Sequence, residues 1–483
     1  MHSKSTRNTL VFLLAKAFNE LFAPRQIVIE HSFSDGLFCH EANWEKVSEK
    51  EIRRLEKQLH DWINDSTPIE LETCSKEIVL KELVLMSSQS KLELLHQWDV
   101  DPVPIVRFGQ HWDLRIGYIQ TEKRKLDTFN LMKYNDGFLI RFHDEGKTLP
   151  PFVDQPQLFS IIEEHERWGS ILGVSTIRKL NEIIRSKTVQ EMIWVAEGLH
   201  EKKISDIADK LVEGFPGKKL ISIAGPSSSG KTTFAKRLGI QLRVNGFKTA
   251  QISMDNYFIN REDLKPNDDG ELNFETIDAV NVELLSERIN QLLSGNPIPV
   301  RKFDFMTGKG RDTNKTIQLG KWDFVLLEGI HGLNPVLTKK LGEEHLQRIY
   351  ISAITQMNID ANHRISTSDN RLLRRIVRDH KFRGYSVEKT IERWASVRIG
   401  EEKNIFPFQE EADIMFNSSL VYEIPVIGKY VCPLLKEMNT SSSLMKEAQR
   451  LKTLLSFFEP LDEEFVPGIS ILREFIGSSD FNY

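Results

Sequence analysis

The pattern of apolar and polar positions changes near residue 219. Residues 219–224 (KLISIA) form an apolar, β-branched run that stops at a glycine, and residues 231–244 then have the spacing of a helix that ends at Asn245-Gly246. Three further strand-like runs follow: KTAQISM, WDFVLLEGI and RIYISAI, the last two almost entirely apolar. Strands that alternate with helices and are apolar on both faces predict an α/β fold, with a parallel sheet covered by helices on both faces.

The first 215 residues have a different pattern. Short β-rich runs (QIVIEHSF, DGFLIRFH) alternate with helical stretches, one of which starts with a capping box formed by Ser48 and Glu51. Residues 188–213 are helical in pattern, and GFPGKK ends them. We therefore predict an α+β domain over 1–215, a nucleotide-binding α/β domain over 216–425, and an extension over 426–483. The extension contains a strand-like YEIPVIGKYV and a helix over 443–458.

Composition adds little to this division. The chain of 483 residues has a net charge of −5, which gives no general attraction to nucleic acid or to a membrane surface. Its three cysteines lack CxxC spacing, which argues against a disulfide framework and a structural zinc site. The N-terminal apolar patch is interrupted at helical spacing and predicts an amphipathic helix rather than a signal peptide. We expect a cytoplasmic protein without a membrane span.

The glycine-rich segment after the first strand carries the chemistry. It matches the phosphate-loop pattern G-x-x-x-x-G-K-[ST], with a strand before it and a helix after it. Backbone N–H groups of such a loop surround phosphate oxygens, the lysine reaches the β- and γ-phosphates, and the following hydroxyl binds Mg²⁺. The sequence thus predicts a P-loop NTPase fold that uses ATP and Mg²⁺, with a nucleotide site formed by Gly225, Pro226, Ser227, Ser228, Ser229, Gly230, Lys231, Thr232 and Thr233.

Two acidic residues stand where strands of the predicted sheet end. Asp255 follows the second strand, and a carboxylate there is able to accept a hydroxyl proton or to help hold Mg²⁺. Glu328 ends a buried strand at the position of a second magnesium carboxylate. A helix cap is the alternative for Asp255, and a structural role is the alternative for Glu328. We predict the metal set Thr232, Asp255 and Glu328.

Other residues indicate an acceptor site and a phosphate clamp. A carboxylate beside aromatic rings suits a sugar, which suggests Phe274, Glu275, Phe303 and Phe305 as substrate residues. One helical face carries Arg371, Arg374, Arg375 and Arg378, with Arg383 beyond it. A solvated basic face is the ordinary explanation; a lid that brings arginines to the transferring phosphate is the alternative that we favour.

In their order and spacing, GPSSSGKTT, SMDNYF, NFETIDAVN, FDF, LLEGI, LLRRIVRD and EEADIMFNSS resemble the uridine kinase/phosphoribulokinase family over roughly 219–420. The resemblance implies ATP-dependent phosphorylation of the 5′-hydroxyl of a pyrimidine nucleoside such as uridine. It implies Asp255 as general base, Glu275 on the ribose hydroxyls, Glu328 near Mg²⁺, and Arg375 and Arg378 as lid arginines that bind the substrate and the phosphates. In our leading interpretation Arg383 closes over the γ-phosphate with them, and Lys231 of the phosphate loop takes part in catalysis.

The chain departs from that family pattern at three positions. Glu275 replaces an aspartate, Phe303 replaces a tyrosine, and TGKG stands where a histidine is expected. We predict that the basic segment after Phe305, which contains TGKG, is a flexible loop. The tyrosine and the histidine belong to base reading in nucleoside enzymes, so the identity of the acceptor is left open. A kinase for another sugar or metabolite, and an RNA-binding regulator switched by ATP, are the alternatives to a nucleoside kinase.

Residues 1–215 have a resemblance of their own. FSDGLFCHE and GKTLPPFVDQPQLFSIIEEHERWGSILGVSTIRKLNE are similar to a region that some bacterial members of this family carry in front. Its early part is similar to the second additional domain of threonyl-tRNA synthetases, but the H-x-x-x-H spacing expected of an editing site is missing. We expect a binding or structural role here. ATP and a nucleoside-like molecule are the expected partners, with tRNA open only for this region, and we expect a homo-oligomer.

Overall fold

A computed structural model describes residues 4–86, 88–143, 147–186, 188–264, 274–355, 357–438 and 442–482. By their internal contacts these residues divide into two compact units. The first contains residues 1–187, 356–366 and 445–459, and the second contains 188–355, 367–444 and 460–483. The units are discontinuous along the chain, and the domain boundaries at 215 and 425 stay a prediction.

The first unit is built from antiparallel sheets and helices. In chain order its elements are α1 (Lys4–Phe22), β1 (Ile27–Phe33), β2 (Gly36–Glu41), α2 (Glu49–Asn64), β3 (Ile69–Cys74), α3 (Lys76–Leu85), α4 (Gln89–Gln97), β4 (Val103–Phe108), β5 (His111–Leu114), β6 (Phe129–Tyr134), β7 (Gly137–Phe142), α5 (Pro156–Leu172) and α6 (Ile177–Arg185). The sheet orders are β1-β2-β7-β6 and β3-β4-β5. Helix α2 begins with the predicted capping box, and the segregated helices and sheets confirm the α+β prediction.

The second unit contains the alternating elements. They are α7 (Val189–Glu213), β8 (Leu220–Ala224), α8 (Lys231–Val244), β9 (Lys248–Ser253), α9 (Val282–Leu293), β10 (Ile298–Asp304), β11 (Lys309–Ile317), β12 (Asp323–Glu328), α10 (Pro335–Leu341), β13 (Leu346–Ser352), α11 (Thr367–Arg383), α12 (Val387–Asn404), β14 (Ile414–Asn417), α13 (Glu423–Glu437), α14 (Ser442–Ser456) and α15 (Arg473–Ile476). Most of α14 groups with the first unit. Five strands form one parallel sheet in the order β14-β13-β8-β12-β9.

Helices cover both faces of the parallel sheet. On one face, Val325 and Leu327 of β12 join a buried cluster with apolar residues of α9 and α10. On the other face, Leu326 of the same strand lies against α8 at Gly239. Successive strand residues point to opposite faces, so strands covered on both sides must be apolar throughout. The predicted α/β fold is confirmed.

The C-terminal strand prediction was wrong. Residues 423–437 form helix α13, whose first six residues, from Glu423 to Gly428, are all buried. A helix that is buried on every side has no polar stripe, so its sequence lacks the periodicity of a surface helix. The short, β-branched segment YEIPVIGKYV therefore has the same pattern as a buried strand. Among the described helices, none is both long and apolar enough to cross a bilayer.

Candidate functional site

The phosphate loop connects β8 to α8 and requires glycine at its two ends. Gly225 has φ of +156°, and a Cβ there would lie 2.1 Å from the carbonyl oxygen of Ile351 on β13. Gly230 has φ of +83° and forms the N-cap of α8. A side chain at the first position would collide with the sheet, and one at the second would strain the backbone. The local sequence therefore specifies the turn that places backbone N–H groups at a helix N-terminus.

Lys231 is folded back over this loop. Its Nζ donates to the carbonyl oxygens of Gly225 at 2.9 Å and Pro226 at 3.1 Å. Desolvation lowers the pKa of its ammonium group, and the carboxylates of Glu328 and Asp255 oppose that shift. The ammonium group therefore lies in the field of both predicted metal ligands, at the end of the loop where a terminal phosphate is expected.

Parallel strand register brings the two carboxylates to one edge of the sheet. Glu328 at the end of β12 is paired with Ile223 of β8 and Ser253 of β9. Asp255 follows Ser253 by two residues, and β12 lies between β8 and β9 in the sheet. Glu328 therefore stands beside the strand that leads into the phosphate loop, and Asp255 stands one strand further along the same edge. Desolvation and the charge of Asp255 raise the pKa of Glu328 to about 7. Two like charges at a desolvated edge fit a divalent cation, and the role of Thr232 as its hydroxyl ligand stays a prediction.

Two carboxylates that the sequence analysis missed accept hydrogen bonds from the loop. Glu401 of α12 accepts from the main-chain N–H of Ser227 at 3.0 Å. Glu474 of α15 accepts from the N–H of Thr233 at 3.1 Å and from its hydroxyl at 2.7 Å. These donors are of the kind that hold phosphate oxygens in a P-loop. The structure therefore places anionic groups on part of the loop where nucleotide phosphates are expected.

The arginines of α11 serve two different purposes. Arg371 and Arg374 are 1% and 0% exposed. Arg371 pairs with Glu401 and donates to the carbonyl of Ser227 at 2.9 Å, whereas Arg374 pairs with Glu423 of α13 at 2.6 Å. Buried charges of this kind require partners, so these two residues anchor the back of the loop.

The other three arginines surround one acidic residue. Asp379 contacts Arg375 at 3.2 Å, Arg378 at 3.0 Å and Arg383 at 3.5 Å. Arg375 also donates to the hydroxyl of Ser227 at 2.9 Å, which ties the cluster to the phosphate loop. The charge of Arg378, together with desolvation, lowers the pKa of Arg383 to about 10. A crowded set of guanidinium groups beside a phosphate loop attracts a highly charged phosphate.

The predicted aromatic residues form one cluster. Phe258, which the sequence analysis did not single out, lies at the centre of it. Its ring centroid is 5.5 Å from that of Phe274, 5.7 Å from Phe303 and 6.2 Å from Phe305. Phe303 is buried, whereas Phe305 is 55% exposed and leaves one ring accessible at the edge of the cluster. The sequence feature that could have indicated Phe258 is its position in SMDNYF, three residues after Asp255.

The segment after Phe305 differs from the flexible loop that we predicted. Residues 309–317 form β11, which pairs with β10 as a hairpin. Asp304 accepts from the N–H of Met306 at 2.8 Å and fixes the turn. Lys309 and Gly310 of TGKG therefore belong to a strand, and Thr307 and Gly308 to its turn.

Glu275 and His331 lie on the loops near this cluster. The Cβ of Glu275 is close to Gly400 of α12. Desolvation and the charge of Glu401 raise the pKa of Glu275. His331 is 1% exposed, and burial lowers its pKa to about 4, a shift that the backbone of Thr276 partly opposes. A neutral imidazole is thus held three residues after Glu328.

Together, fold and site define a P-loop phosphotransferase. Residues 220–424 match the family model described as "Phosphoribulokinase / Uridine kinase family". The uridine kinase of Lactobacillus johnsonii is 33% identical over 198 residues, which cover 41% of this chain and 84% of that protein. The uridine kinase of Staphylococcus haemolyticus is 30% identical over 197 residues, covering 41% and 86%. The chain belongs to the phosphoribulokinase/uridine kinase family and is an ATP-dependent kinase.

One solved structure is similar in part. A Bacillus stearothermophilus protein described as "a Possible Uridine Kinase" is 20% identical and covers 45% of this chain and 98% of its own, with a TM-score of 0.31.

Proposed function

We propose that this protein transfers the γ-phosphoryl group of ATP to the 5′-hydroxyl of a nucleoside, and that the nucleoside is uridine. The observation that carries the proposal is the convergence of Asp255, Glu328 and Lys231 at adjacent strand ends. The aromatic cluster around Phe258 supports a flat, apolar acceptor such as a nucleobase. The sequences of the uridine kinases described above support the same acceptor class.

In the proposed reaction, Asp255 accepts the proton of the acceptor hydroxyl. The oxygen then forms a bond to the γ-phosphorus while the bond from that phosphorus to the bridging oxygen breaks, and ADP leaves. Lys231 and the three arginines that contact Asp379 stabilise the negative charge on the transferring phosphoryl group. Glu328 and Thr232 would hold Mg²⁺, which supplies further charge neutralisation at the phosphates.

The hairpin β10–β11 favours a second candidate acceptor. Phe303 lacks the hydroxyl of a tyrosine, and no histidine stands in the TGKG segment, so two polar groups associated with base reading are absent from this sequence. A site without them would discriminate less against molecules that have no pyrimidine ring. A sugar or another small hydroxyl-bearing metabolite is therefore the alternative acceptor.

A panel of acceptors tests the proposal. Each nucleoside, free sugar or sugar phosphate is incubated with the full-length protein and magnesium ATP, and the products are identified by mass spectrometry. Uridine should give uridine 5′-monophosphate and ADP in equal amounts. Phosphorylation of a sugar in place of any nucleoside would support the second candidate and overturn the first. ATP hydrolysis that rises with added tRNA, without a phosphorylated acceptor, would contradict both.

A further inference from the structure

The first unit contains a cluster of metal-binding side chains apart from the phosphate loop. Glu30 of β1, His40 of β2 and Glu166 of α5 each direct one donor atom toward the others, all within 4.8 Å of one another. Glu30 and His40 are 9% and 5% exposed. All three belong to the first unit, and the proposed kinase chemistry uses none of them.

The hydrogen bonding of His40 determines which nitrogen is available. Its Nδ1 lies 2.8 Å from the carbonyl oxygen of Glu41, an acceptor, so the proton of the neutral ring is assigned to Nδ1. The ring is stacked on Trp44, with centroids 3.7 Å apart. Nε2 therefore directs a lone pair toward Glu30 Oε1, which is 3.8 Å away and beyond hydrogen-bond distance. A backbone carbonyl that orients the ring in this way is the usual support of a metal-binding histidine.

The two carboxylates need positive charge. Glu166 Oε1 is buried and has no hydrogen-bond partner within the described part of the chain. Burial and the charge of Glu30 raise the pKa of Glu166 to about 7. Arg364 lies 3.9 Å from Glu30 Oε2, and Asn358 donates to Glu30 Oε1 at 3.3 Å. The charges of Arg364 and His40 oppose the pKa shift of Glu166 but do not cancel it. A desolvated pair of carboxylates facing a nitrogen lone pair is unfavourable without a cation between them.

We infer that Glu30, His40 and Glu166 bind one divalent transition-metal ion of the zinc type. Two carboxylates balance the charge of the ion, and the imidazole nitrogen favours zinc over magnesium or calcium, which prefer oxygen ligands alone. Three protein ligands leave a coordination position open to water or an anion. The alternative is that a proton on His40, and not a metal ion, neutralises the two carboxylates. The experiment below distinguishes a bound metal ion from a protonated His40.

Metal binding by the full-length, untagged protein without nucleotide tests this inference. After removal of metals with a chelator and dialysis, the protein is titrated with Zn²⁺ against a chromophoric competitor and with Co²⁺ by visible absorption. We expect about one tight equivalent of Zn²⁺. Glu166→Gln should weaken that site by about tenfold or more, as loss of a ligand or its support does. The control Glu70→Gln changes an exposed carboxylate on β3 of the first unit and should bind as the wild type does.

Thermal unfolding distinguishes loss of the site from loss of the fold. Glu166→Gln should unfold in chelator at or above the wild-type temperature because it removes a desolvated charge, and Zn²⁺ should no longer raise that temperature. If Glu166→Gln misfolds, His40→Gln replaces it, and the nitrogen-dependent Co²⁺ absorption should disappear. Absence of a stoichiometric site in the wild type, or unchanged Zn²⁺ affinity in both variants, would overturn the inference and leave a proton on His40 as the neutralising group.

Discussion

The carboxylate of Glu474, near the C-terminus, accepts hydrogen bonds from both the main-chain N–H and the hydroxyl of Thr233 in the first turn of α8. Ile471 of the same segment lies against Gly230, where an added Cβ would meet it at 2.5 Å. An anion at a helix N-terminus is stabilised by the same donors that hold phosphate. Nucleotide phosphates must therefore displace this carboxylate or share its donors.

Replacing Glu474 should strengthen ATP binding. Glu474→Gln keeps the size of the side chain but removes its charge, so it should lower the KM for ATP by about tenfold, which corresponds to about 1.4 kcal/mol. Steady-state kinetics with varied ATP give the value, and Glu464→Gln, an exposed carboxylate in the same tail, is the matched control. A higher KM in Glu474→Gln would show that the carboxylate assists the nucleotide instead of competing with it.

Two neighbouring arginines of α11 should respond differently to the same substitution. Arg374→Met leaves Glu423 buried without its charge partner, so the free energy of unfolding should fall by about 3 kcal/mol or more. Arg375→Met leaves Asp379 paired with two other arginines, so the free energy of unfolding should fall by clearly less than in Arg374→Met.

The catalytic rate should also distinguish Arg375→Met from Arg374→Met. With a folded protein, Arg375→Met should lower kcat by about 10³-fold because a guanidinium group near the transferring phosphate is lost. Urea unfolding and initial rates are measured on both variants. Equal losses of stability in the two would refute the division of α11 into anchoring and phosphate-binding arginines.

His331 should make stability depend on pH. Its folded-state pKa is about 4, below the usual value of 6.5. Between these values the unfolded chain binds more protons, so stability is fully present above pH 6.5 and is lost as pH falls toward 4. Between pH 7.5 and 5.0 the loss from this residue is about 2 kcal/mol.

The matching variant is His331→Leu, which cannot titrate. Urea unfolding at both pH values should show a smaller difference between pH 7.5 and 5.0 for the variant than for the wild type. An identical difference in the two proteins would mean that the imidazole takes up its proton equally in the folded and unfolded states.

The parts of the site that the sequence predicted are those encoded locally. The phosphate loop depends on glycines at fixed spacing, and helix α8 runs over the predicted residues 231–244. Asp255 and Glu328 were found because the ends of parallel strands meet at one edge. Glu401 and Glu474 were missed because they contact the loop from 174 and 241 residues away, and no short-range pattern marks such a contact.

Burial explains the other differences. The sequence pattern of helix α13 predicts a strand because its first residues are enclosed on all sides and lack a polar stripe. The cluster of Glu30, His40 and Glu166 joins β1 and β2 to a helix more than a hundred residues later, so histidine spacing alone gave no indication of it.

The rate of a single turnover by Asp255→Asn tests the central claim most directly. Wild-type protein and the variant are mixed with magnesium ATP and uridine, and uridine 5′-monophosphate is followed after quenching, with ATP affinity measured in parallel. The proposal predicts unchanged ATP affinity and a rate lower by about 10²–10⁴-fold in the variant, because the proton acceptor is lost. Wild-type rates in the variant, or no phosphorylated uridine from a wild-type protein that binds ATP, would contradict it.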